Sequence, residues 1–324
     1  ARRRRGDLYG AVDGLTRVLS LEPDWARAHY RLGQVFAAES DWAGALREYH
    51  AAFACDPDAL EYVSAAAEAA LALGQWEAAT DLLTGVLVDQ PTWADGHAAL
   101  GAIYATRGWW VEAIDAYRQA LSLYEPEPEA PRQRAIVRAL ADAYAAHGDW
   151  LEAIRLYESL LAQADTQDGA GIALSLGQCH RALGNSEDTL AAFEMAQGLG
   201  ADPAIVTPLL AEALEAAGDL DEAANTWFEA ARLAPDDPEH WHRASALWIA
   251  LGDSRAALAA LQRVVELEPD NGAAHADLAR TASAVGEPEI ATLAWEQAAA
   301  LDYMPATAYS NLAALYHAQG RYAE

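Results

Sequence analysis

The sequence contains no lysine: all 21 of its basic residues are arginine, and they are outnumbered by 49 acidic residues, for a formal net charge of −28. A protein that binds nucleic acid through its phosphates needs a positive field over a contiguous surface. The charge balance therefore argues against nucleic acid as the main partner and favours a basic or neutral one. The absence of lysine, together with the heavy use of alanine and glycine, indicates a GC-rich bacterial genome rather than a chemical requirement.

Cysteines and long apolar runs are also scarce. Cys55 and Cys179 are the only two cysteines and lie far apart in the chain, so we expect no disulfide framework. No apolar run approaches the roughly 18 residues that a membrane-spanning helix needs, and the first ten residues carry no apolar segment typical of a signal peptide. We therefore expect no membrane partner. The compartment stays open, with the cytoplasm slightly favoured.

Glycine, in contrast, recurs at regular intervals. Variants of the segment GDWLEAIRLYESLL (148–161) are found along the whole chain, and the first residue of each variant marks one repeat. The intervals between successive markers are 34, 34, 34, 40, 36, 34, 34, 34 and 34 residues. A fixed period of this length indicates a solenoid of stacked helical repeats. The markers are Gly6, Ser40, Gly74, Gly108, Gly148, Gly184, Gly218, Gly252, Gly286 and Gly320.

The residues inside one period predict two helices that pack closely. When the marker is numbered 15, position 8 holds only glycine, alanine or serine, and position 20 holds alanine in every repeat but one, which has threonine. Position 24 is always apolar or aromatic and is expected to fill the space between neighbouring repeats. Glycine at position 15 accepts the left-handed conformation that ends a helix, and the proline found at position 32 in several repeats stops the second helix.

These residues resemble the tetratricopeptide repeat. Its pattern WxxLGxxY…A…F/Y…A…P is matched by HYRLGQVF…A…Y…A…P over residues 29–57 and by HAALGAIY…A…Y…A over residues 97–120. The resemblance covers essentially the whole chain. It implies an all-α fold, an α-solenoid in which antiparallel helix pairs form a right-handed superhelix. It also implies that the first helices line a concave groove, with positions 2, 5, 9, 12 and 13 facing a ligand.

We predict a single tetratricopeptide array over residues 1–324. A half-repeat (1–25) precedes complete repeats that begin at residues 26, 60, 94, 134, 170, 204, 238 and 272, and a second half-repeat (306–324) follows them. Insertions near 128–133 and 168–169 interrupt the period, and we expect the hinges or local bends of the array there. Arg2–Arg5 should lie at the C-terminal end of a truncated first helix, where the helix dipole favours cations.

The predicted groove wall consists mostly of alanine and other small residues, so a ligand backbone can approach it closely. Arg138 and Asp142 form an i,i+4 pair on one first helix, and Gln178 with Arg181 follows one repeat further on. These four residues either grip a peptide or remain solvated and pair with each other. No three successive repeats supply the basic residues and asparagines with which chaperone-binding members of the family hold a carboxylate.

Aromatic residues provide the other candidate contacts. Tyr30 with Gln34 offers a shallow contact point in the groove, unless both are partly buried between neighbouring helices. Trp109 occupies position 16, where most repeats place a polar or acidic residue, so it is a candidate for surface contact with another protein.

Catalytic groups do not converge in the sequence. His29, His97 and His275 all occupy position 4, which is a packing position, and the glycines are periodic helix terminators rather than a phosphate-binding loop. We predict no catalytic residue, no metal site and no cofactor.

The leading hypothesis is a non-catalytic scaffold for protein–protein interaction that binds a peptide segment or helix in its concave groove. Two alternatives stay open. One is the sensor or substrate-presenting arm of a larger bacterial enzyme or signalling ATPase. The other is a structural, filament-forming protein that self-associates head to tail, with the C-terminal half-repeat of one copy stacked on the N-terminal half-repeat of the next.

Overall fold

The computed structural model describes residues 2–124, 131–163 and 166–321, apart from the side chains of residues 2–9, 166 and 167. Within these ranges the chain forms eighteen α-helices and no β-strand. The helices are α1 (Arg2–Leu21), α2 (Ala26–Ala38), α3 (Trp42–Cys55), α4 (Leu60–Ala72), α5 (Trp76–Asp89), α6 (Ala94–Thr106), α7 (Trp110–Leu123), α8 (Pro131–His147), α9 (Trp150–Leu161), α10 (Thr166–Leu183), α11 (Ser186–Gly198), α12 (Pro203–Ala217), α13 (Leu220–Leu233), α14 (Pro238–Leu251), α15 (Ser254–Leu267), α16 (Gly272–Val285), α17 (Pro288–Ala300) and α18 (Pro305–Ala318).

The chain divides into two compact units, unit 1 (Ala1–Leu156) and unit 2 (Tyr157–Glu324). In unit 1 each helix from α1 to α7 packs on the next one along the chain, and the first helices of neighbouring repeats also touch, α4 with α6 and α6 with α8. In unit 2 the helices from α10 to α18 pack in the same sequential way. This arrangement confirms the predicted all-α solenoid. The single array over residues 1–324 stays a prediction.

The core of each repeat is a large side chain at position 24 seated on a small residue at position 8. A Cβ atom added to Gly101 would lie 2.7 Å from the ring of Tyr117, and one added to Gly177 would lie 2.5 Å from the ring of Phe193. Both rings are buried, and burial raises the pKa of Tyr117 to about 12. Position 8 is therefore small because the ring occupies the space where a side chain would be.

The markers end the first helices as the sequence predicts. Eight of the marker glycines have φ between 73° and 98°, and Ser40 takes the same left-handed conformation at 63°. A non-glycine residue in this conformation costs roughly 1 kcal/mol or more, which explains why eight of the nine markers that adopt it are glycine.

The turn expected at Gly6 is wrong. α1 runs from Arg2 to Leu21 without interruption, so Arg2–Arg5 form its first turns rather than the end of a preceding helix. One glycine inside a helix costs only about 1 kcal/mol, so the segment continues the helix that follows it.

The two insertions fall at different places. Residues 125–130 lie outside the described residues, and residues 131–133 form the first turn of α8. The insertion at 168–169 lies inside α10, which is 18 residues long. These two residues therefore lie within a first helix, and a bend of the array at them stays a prediction.

In four repeats the side chain at position 4 ties the first helix to the end of the preceding repeat. In three repeats a histidine Nε2 lies 2.8–3.0 Å from the carbonyl oxygen of a proline six residues earlier, and because a carbonyl only accepts, this nitrogen donates. In a fourth repeat a tryptophan Nε1 donates to the corresponding oxygen at 3.1 Å. The pairs are His29 with Pro23, His97 with Pro91, His275 with Pro269 and Trp241 with Pro235.

Because the side chain at position 24 packs on position 8, two glycine substitutions in unit 1 should change the free energy of unfolding in opposite directions. Gly101→Ala should lower the free energy of unfolding by about 1–3 kcal/mol, because the new methyl group collides with the buried Tyr117 ring. Gly85→Ala should raise it by about 0.5–1 kcal/mol, because its Cβ meets nothing within 4 Å and alanine favours the helix. Chemical denaturation of both variants measures the difference, and equal effects would contradict this account of the core.

Candidate functional site

A concave cavity of about 550 Å³ opens on the first helices of unit 1. This volume lies within the usual range for ligand pockets. Five of the lining residues occupy positions 2, 5 or 9 of their repeats, which the resemblance assigns to the groove. The cavity is lined by Tyr30 from α2, by Leu60, Glu61, Ser64, Ala65 and Glu68 from α4, by Trp93 and Asp95 at the start of α6, and by Arg132 from α8.

Tyr30 forms an aromatic wall of the cavity. Its ring centroid lies 4.9 Å from that of Tyr62 and 5.6 Å from that of Tyr49. The rings of Tyr49 and Tyr62 are buried and fix the half-buried ring of Tyr30 from behind. Burial, and then the neighbouring Tyr30 and Glu68, raise the pKa of Tyr49.

One of the three carboxylates in the cavity is already neutralised by the protein. Arg132 Nη1 lies 2.9 Å from Asp95 Oδ2, and the Tyr124 hydroxyl donates a hydrogen bond to Asp95 Oδ1. Burial, assisted by this hydrogen bond, raises the pKa of Tyr124 to about 12.

The other two carboxylates belong to α4. Glu61 and Glu68 are exposed, and neither forms an ion pair with any residue that the structure describes. Ser64 and Ala65 lie between them along the helix, and the Ser64 hydroxyl donates to the Leu60 carbonyl oxygen at 3.3 Å. The cavity thus combines small side chains, an aromatic ring and two carboxylates that form no ion pair with the described residues.

Tyr30 and Gln34 are predicted to form one contact point, and Tyr30 lines the cavity. Gln34 does not, because its Oε1 accepts a hydrogen bond from Arg31 Nη1 at 2.9 Å, one turn earlier on α2.

The two arginines predicted to hold a peptide, Arg138 and Arg181, form ion pairs within their own units. In unit 1, Arg138 Nε lies 3.5 Å from Asp142 Oδ1. In unit 2, Arg181 Nη1 donates to Glu212 Oε2 at 2.6 Å, and Gln178 is exposed on the same helix. Each arginine therefore has a carboxylate partner in the protein, and the binding of one peptide by all four residues stays a prediction.

The first helices of unit 2 are joined by further ion pairs of this kind. Arg243 Nη1 lies 3.5 Å from Glu215 Oε2 and links α14 to α12, and Arg243 Nε donates to Glu239 Oε1 at 2.9 Å. The pKa of Arg243 is raised, chiefly by its hydrogen bond to Glu239. The protein itself thus supplies counter-charges for three glutamates of this face, Glu212, Glu215 and Glu239.

Trp109 packs on the preceding repeat and remains 40% exposed. Its ring meets Trp76 edge-on, with the centroids 5.4 Å apart, and lies 5.9 Å from the ring of Tyr104. The Arg107 guanidinium covers Trp76, with its Cζ 4.4 Å from the ring centroid. Internal packing explains why a tryptophan occupies this position, and its contact with another protein stays a prediction.

Two features of the described part of the chain bear on other functions. No group of three or more histidine, cysteine, aspartate or glutamate side chains is arranged there to hold a metal ion. None of its helices combines the length and the apolar character that crossing a membrane would require.

Reasoning from the sequence did not select the carboxylates of the cavity as site residues. A signal for them exists in the distribution of arginine, because no basic residue occurs between Arg47 and Arg107. Glu61 and Glu68 therefore have no arginine within reach on their own helix or on α5. The gap is visible in the sequence, but only the fold shows that these carboxylates share a cavity with Tyr30.

The repeat geometry defines the class of protein, and comparison with known families confirms it. Two family models described as tetratricopeptide repeat match the chain, one over residues 94–166 and the other over residues 138–204, 204–238 and 276–324. Together they cover more than half of the sequence. The chain belongs to the tetratricopeptide repeat family, and with its solenoid architecture it is a scaffold for protein–protein interaction.

Solved structures show the same fold. The C-terminal part of a TPR repeat-containing protein from Cytophaga hutchinsonii aligns with a TM-score of 0.63 at 16% identity and covers 77% of this chain and 99% of its own. PilF from Pseudomonas aeruginosa aligns with a TM-score of 0.52 at 16% identity, covering 67% and 96%. BtubC from P. vanneervenii aligns with a TM-score of 0.52 at 18% identity, covering 61% and 90%. A search of the curated proteins finds no match.

The link between Tyr124 and Asp95 predicts a measurable pH effect. Asp95→Asn should lower the pKa of Tyr124 from about 12 towards its ordinary value near 10, because the charge that opposes ionisation is removed. The pKa of Tyr124 is raised in the folded protein, so its contribution to the free energy of unfolding is fully present below about pH 10. This contribution is lost as the pH rises towards 12.

Tyrosinate absorbance measured against pH, with Tyr124→Phe subtracted to isolate this residue, records the shift. Asp81→Asn, an exposed change on α5, is the control. Superimposable titrations of the wild type and Asp95→Asn would contradict the interaction.

Proposed function

We propose that the chain is a non-catalytic scaffold that binds a peptide segment or an α-helix of a protein partner on the first-helix face of unit 1. The observation that carries the proposal is the cavity of about 550 Å³ to which α2, α4 and α8 and the start of α6 contribute side chains. A surface built from several repeats follows an extended or helical segment better than it encloses a small molecule.

The floor of the cavity favours a polypeptide ligand. Ser64 and Ala65 are small and half-buried, so a ligand backbone can come close to α4. Trp93 is 9% exposed and Tyr30 is half-buried, and both provide apolar area at the rim without needing to move. Such preformed contacts reduce the entropy cost of binding a flexible segment.

The test is selection from a displayed random-peptide library with the full 324-residue chain, followed by affinity measurement on two tryptophan variants. Ser64→Trp fills the cavity. Ser122→Trp places the same side chain at an exposed position of α7, away from the cavity, and is the matched control.

Selected peptides should bind the wild type and Ser122→Trp equally and lose roughly tenfold or more in affinity for Ser64→Trp, given the usual energy of a well-packed contact. Equal affinity for both variants would refute binding at this cavity. Selection of no peptide by a chain that sediments as concentration-dependent oligomers would instead support head-to-tail self-association.

A further inference from the structure

We propose that the segment bound in the unit 1 cavity is basic and that its arginine or lysine side chains lie against Glu61 and Glu68 beside the ring of Tyr30. This inference rests on the proposed function, because it specifies the chemistry of a ligand at the same cavity. It concerns a protein segment with positive side chains, not a nucleic acid or a lipid surface.

The charge of the cavity favours a basic ligand. The Asp95 carboxylate is neutralised by Arg132 at 2.9 Å, whereas Glu61 and Glu68 have no ion-pair partner among the described residues. Residues 48–106, which include α4 and α5, contain no lysine or arginine, and Arg27 of α2 forms no ion pair with either glutamate. Two carboxylates at a concave surface concentrate a negative field, which a positive ligand group relieves.

Three glutamates on the first helices of unit 2 differ from Glu61 and Glu68 in this respect. There Glu212 pairs with Arg181 at 2.6 Å, and Glu215 and Glu239 both pair with Arg243. A basic ligand that approached these glutamates would have to displace the protein's own arginines. At Glu61 and Glu68 it would break no ion pair formed by the described residues.

The aromatic ring of Tyr30 in the cavity also favours a basic ligand. Guanidinium and ammonium groups are attracted to the faces of aromatic rings, and arginine also stacks on them. Tyr30 is held by the buried rings of Tyr49 and Tyr62 and lines the same cavity as the two carboxylates. A carboxylate next to a fixed aromatic ring provides both interactions that a basic side chain makes, whereas an acidic ligand would be repelled.

The spacing of the carboxylates limits the ligand further. Glu61 and Glu68 are seven residues apart on one helix, which places them about 10 Å apart along its axis. Three residues of an extended chain span about the same distance. The ligand should therefore carry basic residues three positions apart in an extended segment, or seven apart in a helix that lies along α4.

The experiment uses peptides selected from the displayed library by the wild-type full-length chain. Their sequences should be enriched in arginine and lysine. The affinity of synthetic copies is then measured for Glu61→Gln/Glu68→Gln, which keeps the shape of both side chains and removes their charge. Glu77→Gln/Glu112→Gln is the matched control, because it makes the same change of net charge at two exposed glutamates of α5 and α7 in the same unit.

The affinity of the selected peptides should be roughly tenfold lower for Glu61→Gln/Glu68→Gln, the cavity variant, than for the wild type. Two partly exposed charge contacts account for about that factor. The control variant should bind as tightly as the wild type. The wild-type affinity should also fall more steeply with added salt than that of the cavity variant. Reversal of the site in Glu61→Arg/Glu68→Arg should change the selected sequences from basic to acidic.

Two results would overturn the inference. One is selection of peptides without enrichment in basic residues, and the other is an equal effect of the cavity and control variants, which would indicate a diffuse attraction to the acidic chain. If Ser64→Trp abolishes binding while Glu61→Gln/Glu68→Gln does not, the proposed function stands and only the ligand chemistry is wrong. If Ser64→Trp also has no effect, both proposals fail.

Discussion

The contact between position 24 of a second helix and position 8 of its first helix is the constraint on which the structure depends. Where Phe193 meets Gly177, the ring is completely buried and leaves no space for even a methyl group. Similar large side chains, among them Tyr157, Trp227 and Trp295, are buried at the same position of other repeats. Because this contact recurs with the period, the distance between two helices is set in the same way each time, and each repeat offers the next an equivalent surface.

This constraint also determines where function resides. The buried contact uses one face of a first helix, and positions 2 and 9 lie on another face, where Glu61 and Glu68 are exposed. These positions hold alanine in some repeats and glutamate in others. In unit 2 such a residue is paired: Glu212, at position 9, lies 2.6 Å from Arg181, at position 12 of the preceding first helix. In unit 1 the same positions of α4 leave Glu61 and Glu68 unpaired among the described residues, which is why the two units differ chemically although they share one architecture.

The sequence predicts the features that repeat and misses those that do not. The period and the small residues at positions 8 and 20 identify the helix pairs, and the marker glycines give the ends of the first helices. The period alone gives a turn at Gly6, whereas α1 runs through this residue. The insertion at 168–169 simply adds to α10, since nothing in its sequence forces a break.

Side-chain partners are less predictable than helices for a physical reason. Arg181 and Glu212 are 31 residues apart, and either residue alone is compatible with solvent, ligand or ion pair. Arg138 and Asp142, one turn apart, were a predictable pair, but their value as a ligand site depends on what else surrounds them. Only the fold shows that Tyr30, Glu61 and Glu68 line one cavity, and that Gln34, on the same helix as Tyr30, is held by Arg31 instead.

The net charge of −28 and the cavity act at different stages of recognition. A strongly acidic chain attracts any basic segment over several ångströms, which raises the rate of encounter without choosing an orientation. Orientation requires short-range contacts that only one arrangement satisfies, and the carboxylates beside Tyr30 provide these because ring and charges share one concave surface. The acidity of the whole chain therefore explains attraction. The missing counter-charges at Glu61 and Glu68 explain why attraction would end at this cavity rather than at the paired glutamates of unit 2.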